Sequence, residues 1–187
     1  MSSIIADADR GFVELINRYE KWRRIAAFVG QTTPDEPTWE DKRLCFRYGY
    51  PYDGWSGYVI EPHNTGYNLL SVTTERRAEP AEYLDAYFSR LQDAGKYIIW
   101  NNGESVRMHC KLPPVTPRWR AEGLDPRVEK VVLSDKTARY SLKTDHETYF
   151  EAFAGGIKPE NRLLALSYDE LDAILLGGMP ESILTKL

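Results

Sequence analysis

Three runs between Arg43 and Thr74, RLCFRY, SGYVIE and GYNLLSVTT, are short, rich in aromatic or β-branched residues, and separated by Gly, Pro, Asn and Asp. Runs of that length and make-up fit strands, and the turn residues between them bring successive strands back alongside one another. The pattern predicts an antiparallel meander, which commits the rest of the chain to covering one side of a sheet.

Around that meander the spacing of apolar residues predicts helices. From Asp7 to Phe28, Phe12, Leu15, Ile16, Tyr19, Trp22 and Ala26 recur at three and four, the interval that gives a helix one buried stripe, and Gly30 offers a stop. The segment QTTPDEPTWED then reads as a loop. Glu79-Pro80 is expected to open a second helix with Leu84, Tyr87, Phe88 and Leu91 as its stripe and Gly95 at its end. In KYIIWNNGESVRMHC the Asn102-Gly103 pair predicts a tight hairpin between two strands. Prolines 113, 114 and 117 predict a surface connection through RWRAEG, and VEKVVLSDKTARYSL a further hairpin turning near Ser134 to Lys136. Two capping boxes, Thr144 to Glu147 and Ser167 to Glu170, are expected to start helices over TYFEAF and LDAILLGG. The result is a single α+β domain over residues 1–187: an antiparallel sheet of about seven strands with helices packed on one face.

Bulk composition excludes several classes. With 42% hydrophobic and 28% charged residues the chain is neither a disordered tail nor a membrane protein, and the start MSSIIADADRGF lacks the basic and apolar regions of a secretory signal. A soluble, cytoplasmic protein is expected. A net charge of −4 lacks the basic face of a nucleic-acid binder. Cys45 and Cys110 are too few for a disulfide framework or a zinc quartet.

Catalytic motifs are absent. Asp145-His146-Glu147 is explained by helix capping, and His109-Cys110, read as strand neighbours, would face opposite sides of a sheet. His63 falls in the turn-like EPHNTG, and no His-x-x-x-His, Cys-x-x-Cys, Gly-x-Ser-x-Gly or phosphate-binding glycine turn occurs. Lys21, Arg23 and Arg24 read as a solvated helix face, whereas Arg118-Trp119-Arg120 reads as a loop over the core edge or as an interface anchor. The expectation is a protein that is not an enzyme and needs neither metal nor cofactor.

One resemblance gives that expectation a direction. The segment GWSGYVIEPHNTGYNLLSVTTERRAEPAEYLDAYF, a Trp-bearing strand pair leading into a helix with Tyr-Leu-x-x-Tyr-Phe, resembles immunity proteins of bacterial polymorphic toxin systems. It is similar in particular to the immunity-protein-61 group, which includes the immunity factor for the tuberculosis necrotizing toxin, an NAD-degrading enzyme. RLLALSYDELDAILLGG is similar to that group's C-terminal pattern, while KYIIWNNGESVRMHC before Leu112-Pro113 departs from it. The resemblance implies an antitoxin that is monomeric when free, binds its cognate toxin domain 1:1 and occludes the active site, with an NAD glycohydrolase as the toxin. It assigns no functional residue.

For such a protein Tyr58 and Ile60 are expected in the core, while the preceding loop projects Tyr50, Tyr52, Asp53 and Trp55 toward the toxin. The expected hairpin tip, Asn101, Asn102 and Glu104, is the second toxin-binding candidate. The alternative is a small-molecule-binding or sensor domain whose aromatics line a pocket.

Overall fold

The structure, a computed structural model, describes residues 2–75 and 79–186, with side chains from Arg10 onward in the first helix. Eight antiparallel strands form one sheet: β1 (Thr38–Glu40), β2 (Arg43–Tyr48), β3 (Ser56–His63), β4 (Gly66–Thr73), β5 (Ala81–Phe88), β6 (Val128–Val132), β7 (Thr137–Leu142) and β8 (Asp145–Phe153), in the order β1-β2-β3-β4-β5-β8-β7-β6. Helices α1 (Ser2–Phe28), α2 (Leu91–His109), α3 (Val115–Glu122), α4 (Tyr168–Leu176) and α5 (Glu181–Leu184), with a 3-10 helix over Pro159–Ala165, complete the fold. The expected α+β class and the helices on one face of the sheet are present, with eight strands in place of about seven.

Period-two alternation sets the faces. Leu44, Phe46, Ile60, Leu69, Phe88, Tyr140 and Phe150 all point to the helix side and are fully or almost fully buried. The α1 stripe meets them with Leu15, Tyr19, Trp22, Ile25 and Ala26. Each such side chain contributes about 1.5–3 kcal/mol of transfer free energy, so this one core dominates the stability.

Five expected elements are different. Thr38–Glu40, inside the segment expected to be a loop, pairs with β2 as strand β1. KYIIWNNGESVRMHC is no hairpin: it lies mostly in α2, buried by the sheet on one side and α4 on the other. Gly95 and Gly103 sit there because a Cβ would collide with Tyr168 and Leu175 of α4, so the glycines mark close helix packing and not turns. Residues 81–88 form β5 and not a helix, because pairing with β4 on one side and β8 on the other satisfies their backbone groups. TYFEAF belongs to β8; Asp145 accepts from Glu147 N at 3.2 Å and Thr148 Oγ1 at 2.6 Å, a local turn that opens a strand. The proline-rich connection holds α3, whose Trp119 stacks on Trp100 at 5.9 Å and is core, not an interface anchor. The capping box at Ser167 and Glu170 forms as expected and starts α4. Arg76, Arg77 and Ala78 of the segment carrying the resemblance lie outside the described residues.

Buried polar side chains then tie the helices together. Asp172 of α4 accepts from Trp22 Nε1 at 2.8 Å and Lys21 Nζ at 2.7 Å on α1. Lys96, 1% exposed, pairs with Asp93 at 2.6 Å and donates to the carbonyls of Leu163 and Leu166. Arg107 donates to Leu175 O, Gly177 O and Pro113 O at 2.8, 2.7 and 2.9 Å. These bonds satisfy helix-end and loop carbonyls that would otherwise be orphaned.

Candidate functional site

The helices all contribute to the core on one side of the sheet, leaving the other face of β2 to β5, among the described residues, with only a small cluster, Cys45, Val59 and Val72 packed by Trp55 and Leu70. In RLCFRY the alternation that buries Leu44 and Phe46 turns Arg43, Cys45 and Arg47 to this uncovered face.

The loop between β2 and β3, residues 49–55, folds across the end of that face. Gly49 and Gly54 take positive φ (79° and 83°), which lets the chain double back, and the turns close through Tyr52 N to Gly49 O at 2.9 Å and Trp55 N to Tyr52 O at 3.2 Å. Asp35 Oδ2 accepts from Tyr50 N at 2.9 Å, and Trp55 O is held by both Thr74 N and Thr74 Oγ1 at 3.0 Å. The rings have their own mount. Arg47 lies 4.7 Å from the Tyr50 ring centroid and 5.3 Å from that of Trp55, and the two rings meet edge to face at 5.5 Å.

Arg47 is in turn fixed by Glu40 of β1, whose two carboxylate oxygens accept from its two terminal nitrogens at 2.6 Å each. That fork holds the Glu40 carboxyl below its ordinary value. The chain of support runs from Glu40 through Arg47 to Tyr50 and Trp55. It leaves Tyr52 78% exposed at the tip, with Asp53 also exposed beside it.

Behind the loop, a depression of about 310 Å³ has Cys45, Val59 and Val72 as its floor and Arg43, Trp55 and Glu82 among its walls. Arg43 pairs with Glu82 at 2.7 Å. Burial pushes the Cys45 thiol up, so it is a packed, weakly acidic group and not an activated nucleophile.

The second candidate group occupies the other side of the sheet. Tyr48 donates to Asn102 Oδ1, and Tyr58 donates to Asn101 Oδ1 at 3.3 Å, so both asparagines brace α2 against the strands that carry the loop. Asn102 is 3% and Glu104 8% exposed. Glu104 accepts from Val115 N, Thr116 N and Thr116 Oγ1 at 3.0, 2.6 and 2.8 Å, capping α3. These residues form no exposed tip; they are supports. Sequence reasoning missed Glu40, Arg43 and Arg47, although the period-two alternation of RLCFRY signalled the two arginines.

His63, His109 and His146 are dispersed, contacting the Tyr87 ring, Val29 O and Glu129 respectively. Among the described residues no group of three or more His, Cys, Asp or Glu side chains is placed to hold a metal ion, and no helix is long and apolar enough to cross a membrane.

The fold and loop together define an open-faced antiparallel sheet, backed by helices, with an aromatic loop mounted at one end. No family model matches the sequence, and no curated protein matches it. Among solved structures the chain is similar to Rv3902c from M. tuberculosis, with 18% identity over 88% of this chain and 80% of that one and a TM-score of 0.47.

Proposed function

We propose that this protein is an immunity protein, a non-catalytic inhibitor that binds a cognate bacterial toxin domain and occludes its active site. The observation that carries the reading is the loop at residues 49–55: an exposed aromatic tip, Tyr50 and Tyr52 with Asp53, on a base made stiff by the Glu40–Arg47 fork. A rigid aromatic anchor loses little conformational entropy on docking, which is why Tyr, Trp and Arg dominate interface energetics. The likeness of residues 54–88 to the immunity-protein-61 pattern supports the toxin as the partner class, with an NAD glycohydrolase as the particular toxin.

The test is a pull-down of the tagged chain against the product of the gene immediately upstream, followed by an NAD hydrolysis assay of that product. Stoichiometric capture with loss of NAD hydrolysis is expected. Capture that silences a different toxic activity keeps the immunity reading and discards the NAD link; no capture discards both.

One observation favours a second reading, a small-molecule-binding domain. A groove of about 410 Å³ between the sheet and α2 is lined by Tyr48, Ser56, Tyr58, Ser71, Thr73 and Asn101, hydroxyls and an amide suited to an uncharged polar ligand.

A further inference from the structure

We propose that the free edge of β6 pairs with the same edge of a second copy of the chain, joining two sheets across a twofold axis. The inference is independent of the partner bound at the β2–β3 loop.

The two edges of the sheet differ. The β1 edge is three residues long, with Glu40 engaged by Arg47 and Trp39 packed edge-on to Phe12 of α1 at 4.8 Å. The β6 edge is longer and apolar: Val131, Val132 and Leu133 are 48%, 63% and 49% exposed. Leu133 N donates to Thr137 O at 2.9 Å, so residues 129, 131 and 133 face β7 with their backbone groups. By strand alternation Lys130 and Val132 direct their N–H and C=O groups away from the sheet. An edge lysine normally defends such a strand, yet Lys130 is drawn back, its Nζ donating to Gly155 O at 2.7 Å and Gly156 O at 3.3 Å.

Charge and register select a second copy of the chain as the occupant. Antiparallel pairing centred on Val131 sets Val131 against Val131 of the second copy, Lys130 against Val132, and Glu129 against Leu133. The outward-facing Lys130 and Val132 then exchange both backbone bonds, apolar side chains meet at the axis, and no like charges oppose. Pairing centred on Lys130 would instead place two lysines face to face, which is unfavourable. A contact of about five residues per copy falls below the roughly 1,200 Å² of a stable interface, so the association is weak and concentration-dependent. The β2–β3 loop lies toward the opposite end of the strand order, so a dimer leaves both loops free for partners.

Sedimentation velocity of the full chain over a series reaching about 1 mM tests this. The expected result is a weight-average mass rising toward the dimer. Val132→Pro removes one outward N–H, and Val131→Lys puts like charges across the axis; each should weaken self-association about tenfold or more. Val131 is exposed, so Val131→Lys keeps the test decisive should the proline variant misfold, and circular dichroism reports on folding in both. Tyr52→Ala should leave the dimer intact. A wild-type chain that stays monomeric throughout the series, or a dimer that both folded variants leave unchanged, overturns the proposal.

Discussion

The two faces of the sheet employ the same side-chain chemistry under different solvation. On the helix side Lys96, Arg107, Glu104 and Asp172 are almost fully buried, and each is tied to backbone ends or to another helix. On the uncovered side Arg47, Arg43 and Arg139 pair with Glu40, Glu82 and Glu151 at 2.6 to 2.7 Å, in geometry just as good, but at least one partner of each pair is open to water. Water sets the difference. A buried charge that loses its partner keeps its desolvation penalty, whereas an exposed one is rehydrated. The helix side therefore uses charge to specify the fold, and the uncovered side uses it to orient surface groups.

The largest expected effect follows from breaking a buried pair. Lys96→Ala leaves Asp93, itself 0% exposed, with only the half-exposed Arg90 at 3.3 Å as a charge partner and frees two carbonyls, and should lower the unfolding free energy by about 3 kcal/mol in urea denaturation. On the other face, Tyr52→Ala should leave stability within about 0.5 kcal/mol of wild type and, under the proposed immunity function, weaken toxin binding by about 2 kcal/mol in calorimetric titration, a split that a core residue could not produce.

Glu104→Ala is the sharper comparison, because sequence reasoning placed that residue among the toxin contacts. As the cap of α3 it should cost about 1–2 kcal/mol of stability and leave the affinity unchanged in the same titration.

The smallest effect concerns acidity. Asp85 and Glu160 border a cavity of about 30 Å³ between β5 and the 3-10 helix, and burial raises both carboxyls above their ordinary values. The folded chain therefore still holds protons there that the unfolded chain has released. Stability from these two groups is greatest at the acid end and falls as pH rises from the ordinary carboxylate range through the raised values. Glu160→Gln should flatten that fall, seen as a variant that gains on wild type as pH rises above the ordinary carboxylate range in parallel thermal melts.

Much of the layout was legible in the residues. The α1 stripe, the β2–β3–β4 meander and the capping box at Ser167 each rest on interactions within a few positions, so local spacing was sufficient evidence. The loop holding Tyr50, Tyr52 and Asp53 was legible as a surface turn from its Gly, Pro and Asp content. Its support was not, because Glu40 lies on a strand too short to show a period.

The errors share a physical origin. Asn102-Gly103 is a strong hairpin signal in isolation, and it was overruled by α4, which packs so closely on α2 that glycine is required at positions 95 and 103. Residues 81–88 and 145–153 carry aromatic spacings compatible with either a helix or a strand, and the cross-strand partners from β4 and β7 decided between them.

The amino-acid sequence by itself determined where the chain turns, which short segments alternate, and that apolar stripes would gather helices on one side of a sheet. Tertiary structure decided the identity of the ambiguous segments and the work of the polar residues. Asn102 and Glu104 became braces and Arg47 a mount because the groups they satisfy, from Tyr48 to Thr116 and Tyr50, are brought to them only when the sheet and helices close, and a hydrogen bond has no value until both partners are in place.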